Sequence, residues 1–140
     1  MILHELTIDE LTKKLASKEV SSRDAMQACL DRIDDIDNSI NAFISLDREN
    51  ALDQADAADS ALKNGANHND HPLLGVPVSL KDIFCVKNQP ANCASKILGD
   101  FRSPYDGSVV QKLKQAGAVI FGRVNMDEFA MGSSTENSAF

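Results

Sequence analysis

The chain has 140 residues, of which 43% are hydrophobic and 25% charged, the balance of a soluble globular domain long enough to bury a core. Its formal charge of −7 is lopsided: residues 1–65 hold 14 acidic and 7 basic side chains, whereas residues 66–140 hold 7 of each. An acidic surface repels phosphate backbones, which argues against a nucleic-acid site in the chain itself, and no apolar run is long enough to span a bilayer. The start, Met1-Ile2-Leu3-His4-Glu5, lacks the basic and apolar segments of a signal peptide. Cys29, Cys85 and Cys93 form no C-x-x-C pair, so free thiols in a reducing cytoplasm are expected.

Thr7 and Glu10 read as a capping box that opens a short helix with Ile8, Leu11 and Leu15 on one face. Ser21 or Ser22 caps a longer helix whose apolar stripe is Met26, Cys29, Leu30, Ile33, Ile36 and Ile40. Residues 42–46 read as a short strand. Ala51, Ala55, Ala58 and Leu62 then mark a third helix over 48–64, stopped by Gly65. His68 and His71 sit in a polar loop without a third ligand at a recurrent spacing, which is weak support for a metal site.

The stretch Leu74-Gly75-Val76-Pro77-Val78-Ser79-Leu80-Lys81-Asp82-Ile83-Phe84 alternates as a strand does, with Val78, Leu80 and Asp82 on one face and Ser79, Lys81 and Ile83 on the other. Lys81 has two readings that spacing leaves open. It is either a solvated strand lysine that blunts an edge, or a desolvated amine held neutral so that it can act as a base. Residues 85–105 show little periodicity, and Cys93-Ala94-Ser95-Lys96 lacks the glycines of a nucleophile elbow. Asp106 is expected to cap a helix with Val109, Val110, Leu113 and Ala116 on one face and Gly117 as its end. Ala118-Val119-Ile120-Phe121 reads as a strand covered on both faces. Strand, helix and strand in that order predict a parallel pair. Asn125 and Glu128 are expected to cap a last short helix reaching Gly132. Three strands are few for a self-sufficient sheet, so the chain reads as the start of a longer domain whose apolar strand would lack neighbours.

The Gly-x-Pro-x-x-x-Lys-Asp run at 75–82 resembles the amidase signature family. The runs at 93–98 and 104–106, and above all Asn125-Met126-Asp127-Glu128-Phe129-Ala130-Met131-Gly132-Ser133-Ser134-Thr135-Glu136-Asn137-Ser138, are within that family most similar to the A subunits of amidotransferases that act on glutamyl-tRNA(Gln). The resemblance implies an α/β fold: the N-terminal portion of the amidase-signature fold, with residues 1–65 as an acidic helical lead-in and residues 66–140 as the start of a mixed sheet flanked by helices. It implies a Ser-cisSer-Lys triad in which Lys81 is the lysine, and substrate-binding positions at Met131, Gly132 and Ser133. Met131 also admits a packing role, and Ser133 and Ser134 a turn-closing one. Both triad serines are expected in a glycine- and serine-rich stretch after Phe140, so the 140 residues alone are expected to be inactive.

Further implications of the resemblance are hydrolysis of glutamine to ammonia, a cytoplasmic complex with B- and C-type partner subunits, and a charged tRNA handled mainly by the partner. ATP and Mg would be used by that partner, with no cofactor in this chain. Two alternatives stand beside this one: an amidase acting on another amide, and a non-catalytic module that docks a partner.

Overall fold

The computed structural model describes residues 2–140. A 3-10 turn at Leu3–Glu5 leads into α1 (Ile8–Ala16), where the Thr7 hydroxyl accepts the Glu10 N–H and the Glu10 carboxylate takes the Thr7 N–H at 2.8 Å in return. α2 (Ser22–Ile40) opens with the same reciprocal pair made by Ser21 and Asp24, so Ser21 is the cap. Ser22 serves elsewhere. Its buried hydroxyl donates to the Gly75 carbonyl at 2.8 Å, and its N–H and that of Arg23 reach the Asp59 carboxylate on α3 (Arg48–Lys63). A negative charge therefore sits on the N-terminus of α2, where the helix dipole favours it. Arg23 adds an ion pair with Asp56 of the same neighbouring helix.

Three strands, β1 (Phe43–Leu46), β2 (Pro77–Lys81) and β3 (Val119–Val124), form one sheet in the order β1-β3-β2. β3 runs antiparallel to β1 and parallel to β2, and the parallel pair is joined through α4 (Ser108–Gln115), as the order of elements predicts. The apolar strand does not lack neighbours: it is the central one, buried from Val119 to Arg123. The acidic first half shares its core. Met26 and Leu30 of α2, Ala51 and Ala55 of α3, and Val119 and Phe121 of β3 pack as one cluster. The small alanines let the two helices approach closely over the strand. Ile40, at the far end of the α2 stripe, is exposed.

Beyond the end of β1 the central strand borrows a partner from α3. The Gln54 side chain accepts the Ile120 N–H at 3.1 Å and donates to the Ile120 carbonyl at 3.0 Å, so one amide stands in for a strand residue. Gly117 follows α4 at φ +87°, and a Cβ there would lie 2.7 Å from the Leu74 Cα, so only glycine fits. The two loop histidines act as fasteners: His68 Nε2 lies 3.0 Å from the Leu74 carbonyl and His71 Nδ1 2.9 Å from that of Gln115.

Three expectations are corrected. Gly107, not Asp106, occupies the cap position of α4, and no side chain closes that turn. Asp106 instead accepts Lys114 Nζ at 2.7 Å and the Lys87 N–H at 2.8 Å, contacts that hold its carboxyl below the usual range. Val109 is exposed while Val110 is buried, because neighbours on a helix point about 100° apart and one short helix buries only one of them. No helix runs from Phe129 to Gly132. Glu128–Ala130 is a 3-10 turn with Phe129 at φ +53°, and Asn125 Oδ1 accepts the Met126 N–H and the Ser138 hydroxyl rather than capping anything.

Replacing Gln54 by alanine leaves both Ile120 backbone groups without their partner. The substitution is expected to lower stability by about 1–3 kcal/mol, the usual cost of stranding buried polar groups, as read from urea unfolding midpoints.

Candidate active site

Lys81 is the last residue of β2, paired in register with Val124 at the end of β3. It therefore stands at the carboxyl end of the parallel pair, where open α/β sheets place ligands. Its side chain is exposed. The pleat turns the next residue inward, and Asp82 is only 1% exposed. Asp82 Oδ2 accepts the backbone N–H of Asn92 at 3.1 Å and of Ala94 at 3.4 Å, while its own carbonyl accepts the Cys93 N–H at 3.3 Å. The 92–94 turn is thus folded onto one residue. Cys93 and Ala94 lie there at φ +54° and +55°, a conformation that costs a non-glycine residue about 1–2 kcal/mol.

The countercharge to Asp82 is Arg123 of β3, which is 3% exposed. Its Nη1 donates to the Phe84 carbonyl at 2.7 Å and its Nη2 to Gln89 Oε1 at 3.4 Å. Among the described residues, Asp82 Oδ1 and Arg123 Nε have no hydrogen-bond partner. Burial pushes the Asp82 carboxyl up, against the opposing pull of the Ala94 N–H and the Arg123 charge.

Past β3 the chain folds over this turn. The Phe129 N–H donates to the Cys93 carbonyl at 3.0 Å and the Ala139 N–H to the Ala94 carbonyl at 3.0 Å, so both ends of the 129–139 segment rest on the Asp82-bound turn. Met131, Gly132 and Ser133 are exposed on that segment, and Met131 at 78% exposure has no packing role among residues 2–140. Ser134 enters the loop's hydrogen bonding through its backbone N–H, which Asp127 Oδ2 accepts. The structure thus ties the Lys81 strand end and the 131–133 segment to one scaffold. The scaffold residues Asp82, Arg123 and Asp127 were assigned no role from sequence. A signal existed for Arg123: a charged side chain in an otherwise apolar strand is buried only when it is paired.

The comparisons with known proteins fit this geometry. The family model for amidases, described simply as Amidase, matches residues 24–140. The A subunit of the glutamyl-tRNA(Gln) amidotransferase of Desulfatibacillum aliphaticivorans is 51% identical over all 140 residues, which correspond to 28% of that protein. Among solved structures, the chain superposes with a TM-score of 0.88 and 37% identity on a protein of a vestigial complex bearing on the evolutionary origins of an s-triazine catabolic enzyme; the match covers 94% of this chain and 29% of that one. The native peptide amidase of Stenotrophomonas maltophilia gives a TM-score of 0.82 at 31% identity over 89% of this chain and 26% of its own. The chain belongs to the amidase family. It spans about 28% of the length of the curated amidotransferase A subunits it matches, and its fold is similar to part of the solved amidase structures. No helix among the described residues is long and apolar enough to cross a membrane.

The buried carboxylate makes stability depend on pH in a defined direction. The folded pKa of Asp82 is raised, so its favourable contribution is full below the unfolded value of about 4 and is lost as pH rises through the folded value. Asp82→Asn keeps an oxygen for the Asn92 and Ala94 N–H groups and cannot ionise. Urea unfolding of the wild type and this variant is expected to show the variant gaining relative stability as pH rises above about 4; parallel profiles would contradict the assignment.

Proposed function

We propose that the protein is the amide-hydrolysing A-type subunit of a glutamyl-tRNA(Gln) amidotransferase. The observation that carries this reading is the 51% identity across the whole chain to a protein of that name. In this reading Lys81 is the base of a Ser-cisSer-Lys triad whose serines lie beyond Phe140. The nucleophilic serine oxygen attacks the carbonyl carbon of the glutamine side chain, and its proton passes through the bridging serine to the neutral Lys81 amine. The proton then goes to the departing nitrogen, ammonia leaves, and water releases glutamate from the acyl-enzyme. Lys81 is exposed within residues 2–140, so the desolvation that such a base needs is assigned to further residues closing over the carboxyl end of β2.

Met131, Gly132 and Ser133 are the proposed substrate-contacting positions in this chain. In a complex with B- and C-type partners, the ammonia would pass to the partner subunit where ATP with Mg activates the glutamyl-tRNA. A cytoplasmic location follows from the same reading. A second reading, supported by the likeness to the peptide amidase, keeps the hydrolytic chemistry and changes the amide.

Lys81→Met in the full-length protein is expected to lower ammonia release from glutamine by at least about a hundredfold, the usual scale for loss of a general base, with the unfolding transition retained. Wild-type turnover in that variant would remove Lys81 from the mechanism. Assaying glutamine beside simple aliphatic and aryl amides separates the two readings, since faster release from the latter favours the second.

A further inference from the structure

The segment that carries Met131, Gly132 and Ser133 has no regular secondary structure from Met131 to Phe140, and its side chains from Met131 to Asn137 are exposed. Neither backbone ladder nor core packing holds it. Between its two anchored ends, one carboxylate gathers its backbone N–H groups. Asp127, 7% exposed, accepts the Ser134 N–H at 3.2 Å and the Thr135 N–H at 3.0 Å on Oδ2, and the Asn137 N–H at 3.0 Å on Oδ1. The Glu128 N–H donates to the Asn137 carbonyl at 2.7 Å and closes the loop on itself. Thr135 is held at φ +63°, which an unrestrained threonine avoids. Gly132 lies flat against the same carboxyl group: a Cβ there would sit 2.5 Å from Asp127 Oδ2 and 2.7 Å from Asp127 Cβ.

The N–H groups of Thr135 and Asn137 hold the Asp127 carboxyl below the usual carboxylate range, so it is ionised at neutral pH and the bonds it accepts are charge-assisted. An ionised group among N–H donors, with glycine pressed against it, fixes the backbone of the loop tip. The turn at Cys93 and Ala94 fixes the two ends of the segment.

The geometry points to Asp127 as a positioning residue for amide hydrolysis: it sets how Met131, Gly132 and Ser133 are presented to the substrate, and Gly132 is glycine because the Asp127 carboxylate occupies the space of a side chain. This inference rests on the substrate role proposed above for the 131–133 segment. It makes Asp127 and Gly132 one unit, so their substitutions act through a single displacement and do not multiply.

The test uses the full-length protein in complex with its partners, as wild type, Asp127→Ala, Gly132→Ala and the double variant. Each single change is expected to raise KM for glutamine by about tenfold or more with a smaller effect on kcat, and the double variant to match Asp127→Ala. Amidation driven by an added ammonium salt bypasses the amide-hydrolysing site and reports whether each variant has folded and assembled. Hydrogen exchange at the amides of Ser134, Thr135 and Asn137 reads the anchor directly and is expected to speed up by at least about tenfold in Asp127→Ala. Unchanged KM and exchange in Asp127→Ala would overturn the inference, as would effects of the two single changes that multiply. A wild-type enzyme that leaves glutamine untouched would sink the glutamine reading instead. The KM comparison is then made on the amide it does hydrolyse, and the exchange measurement stands unaltered.

Discussion

Asp127 accepts three backbone N–H groups from a segment that has neither strand nor helix, and the presentation of Met131, Gly132 and Ser133 follows from that contact. A polar loop of this kind buries little apolar surface, and ordering each of its residues costs about 1–2 kcal/mol of backbone entropy. Ordinary hydrogen bonds, exchanged against water, would not offset that. Bonds to an ionised carboxylate are about twice as strong, and several on one group also restrict one another's geometry. Asp82 also gathers backbone N–H groups, those of Asn92 and Ala94, but at a depth where burial raises its pKa despite the nearby Arg123 charge. Two carboxylates, one on each strand's continuation, thereby carry the irregular backbone at the carboxyl end of the sheet.

That arrangement depends in turn on where β3 lies. As the central strand it is buried on both faces and paired on both edges, so Arg123 can reach across to the residues following β2 without meeting solvent. The register of β2 against β3 advances by an extra residue between Val78 and Ser79, from Ile120 to Gly122. Such a bulge re-aims the strand beyond it, and here what lies beyond is the pairing of Leu80 with Arg123 and Lys81 with Val124. The irregularity falls directly before the buried Leu80 and the exposed Lys81 at the strand's carboxyl end.

Most of the scaffold was legible in the sequence because it rests on local rules. The Thr7–Glu10 box, the Met26 and Leu30 stripe, the alanine helix and the parallel β2–β3 pair are each set by spacing or by adjacent residue types. What was not legible depends on contacts between distant segments. Asp106 sits where a cap would, yet Lys87 and Lys114 claim it. Asn125 and Glu128 have capping spacing, but the nearby Asp127 gathers the N–H groups of the following loop, the Phe129 N–H goes to the distant Cys93 carbonyl, and Phe129 and Ala130 lie at positive φ, where no helix continues. The pairing of Asp127 with Gly132 is five residues long in sequence, but its meaning depends on a loop shape that no periodicity encodes.

Lys81 and Asp82 show how one strand serves opposite needs. Successive residues of a strand face opposite sides, so the residue that binds the buried turn and the residue that faces the open end must be neighbours of opposite parity. A slip of one residue in the pairing of β2 would bury the ammonium and expose the carboxylate, removing the acceptor of the Asn92 and Ala94 N–H groups and placing two cations, Lys81 and Arg123, in one interior. Register is therefore specified by charge as well as by Val78 and Leu80. The Lys-Asp dipeptide acts as a lock on that register, and the same lock that keeps Asp82 under the 92–94 turn keeps the Lys81 amine exposed at the carboxyl end of the strand.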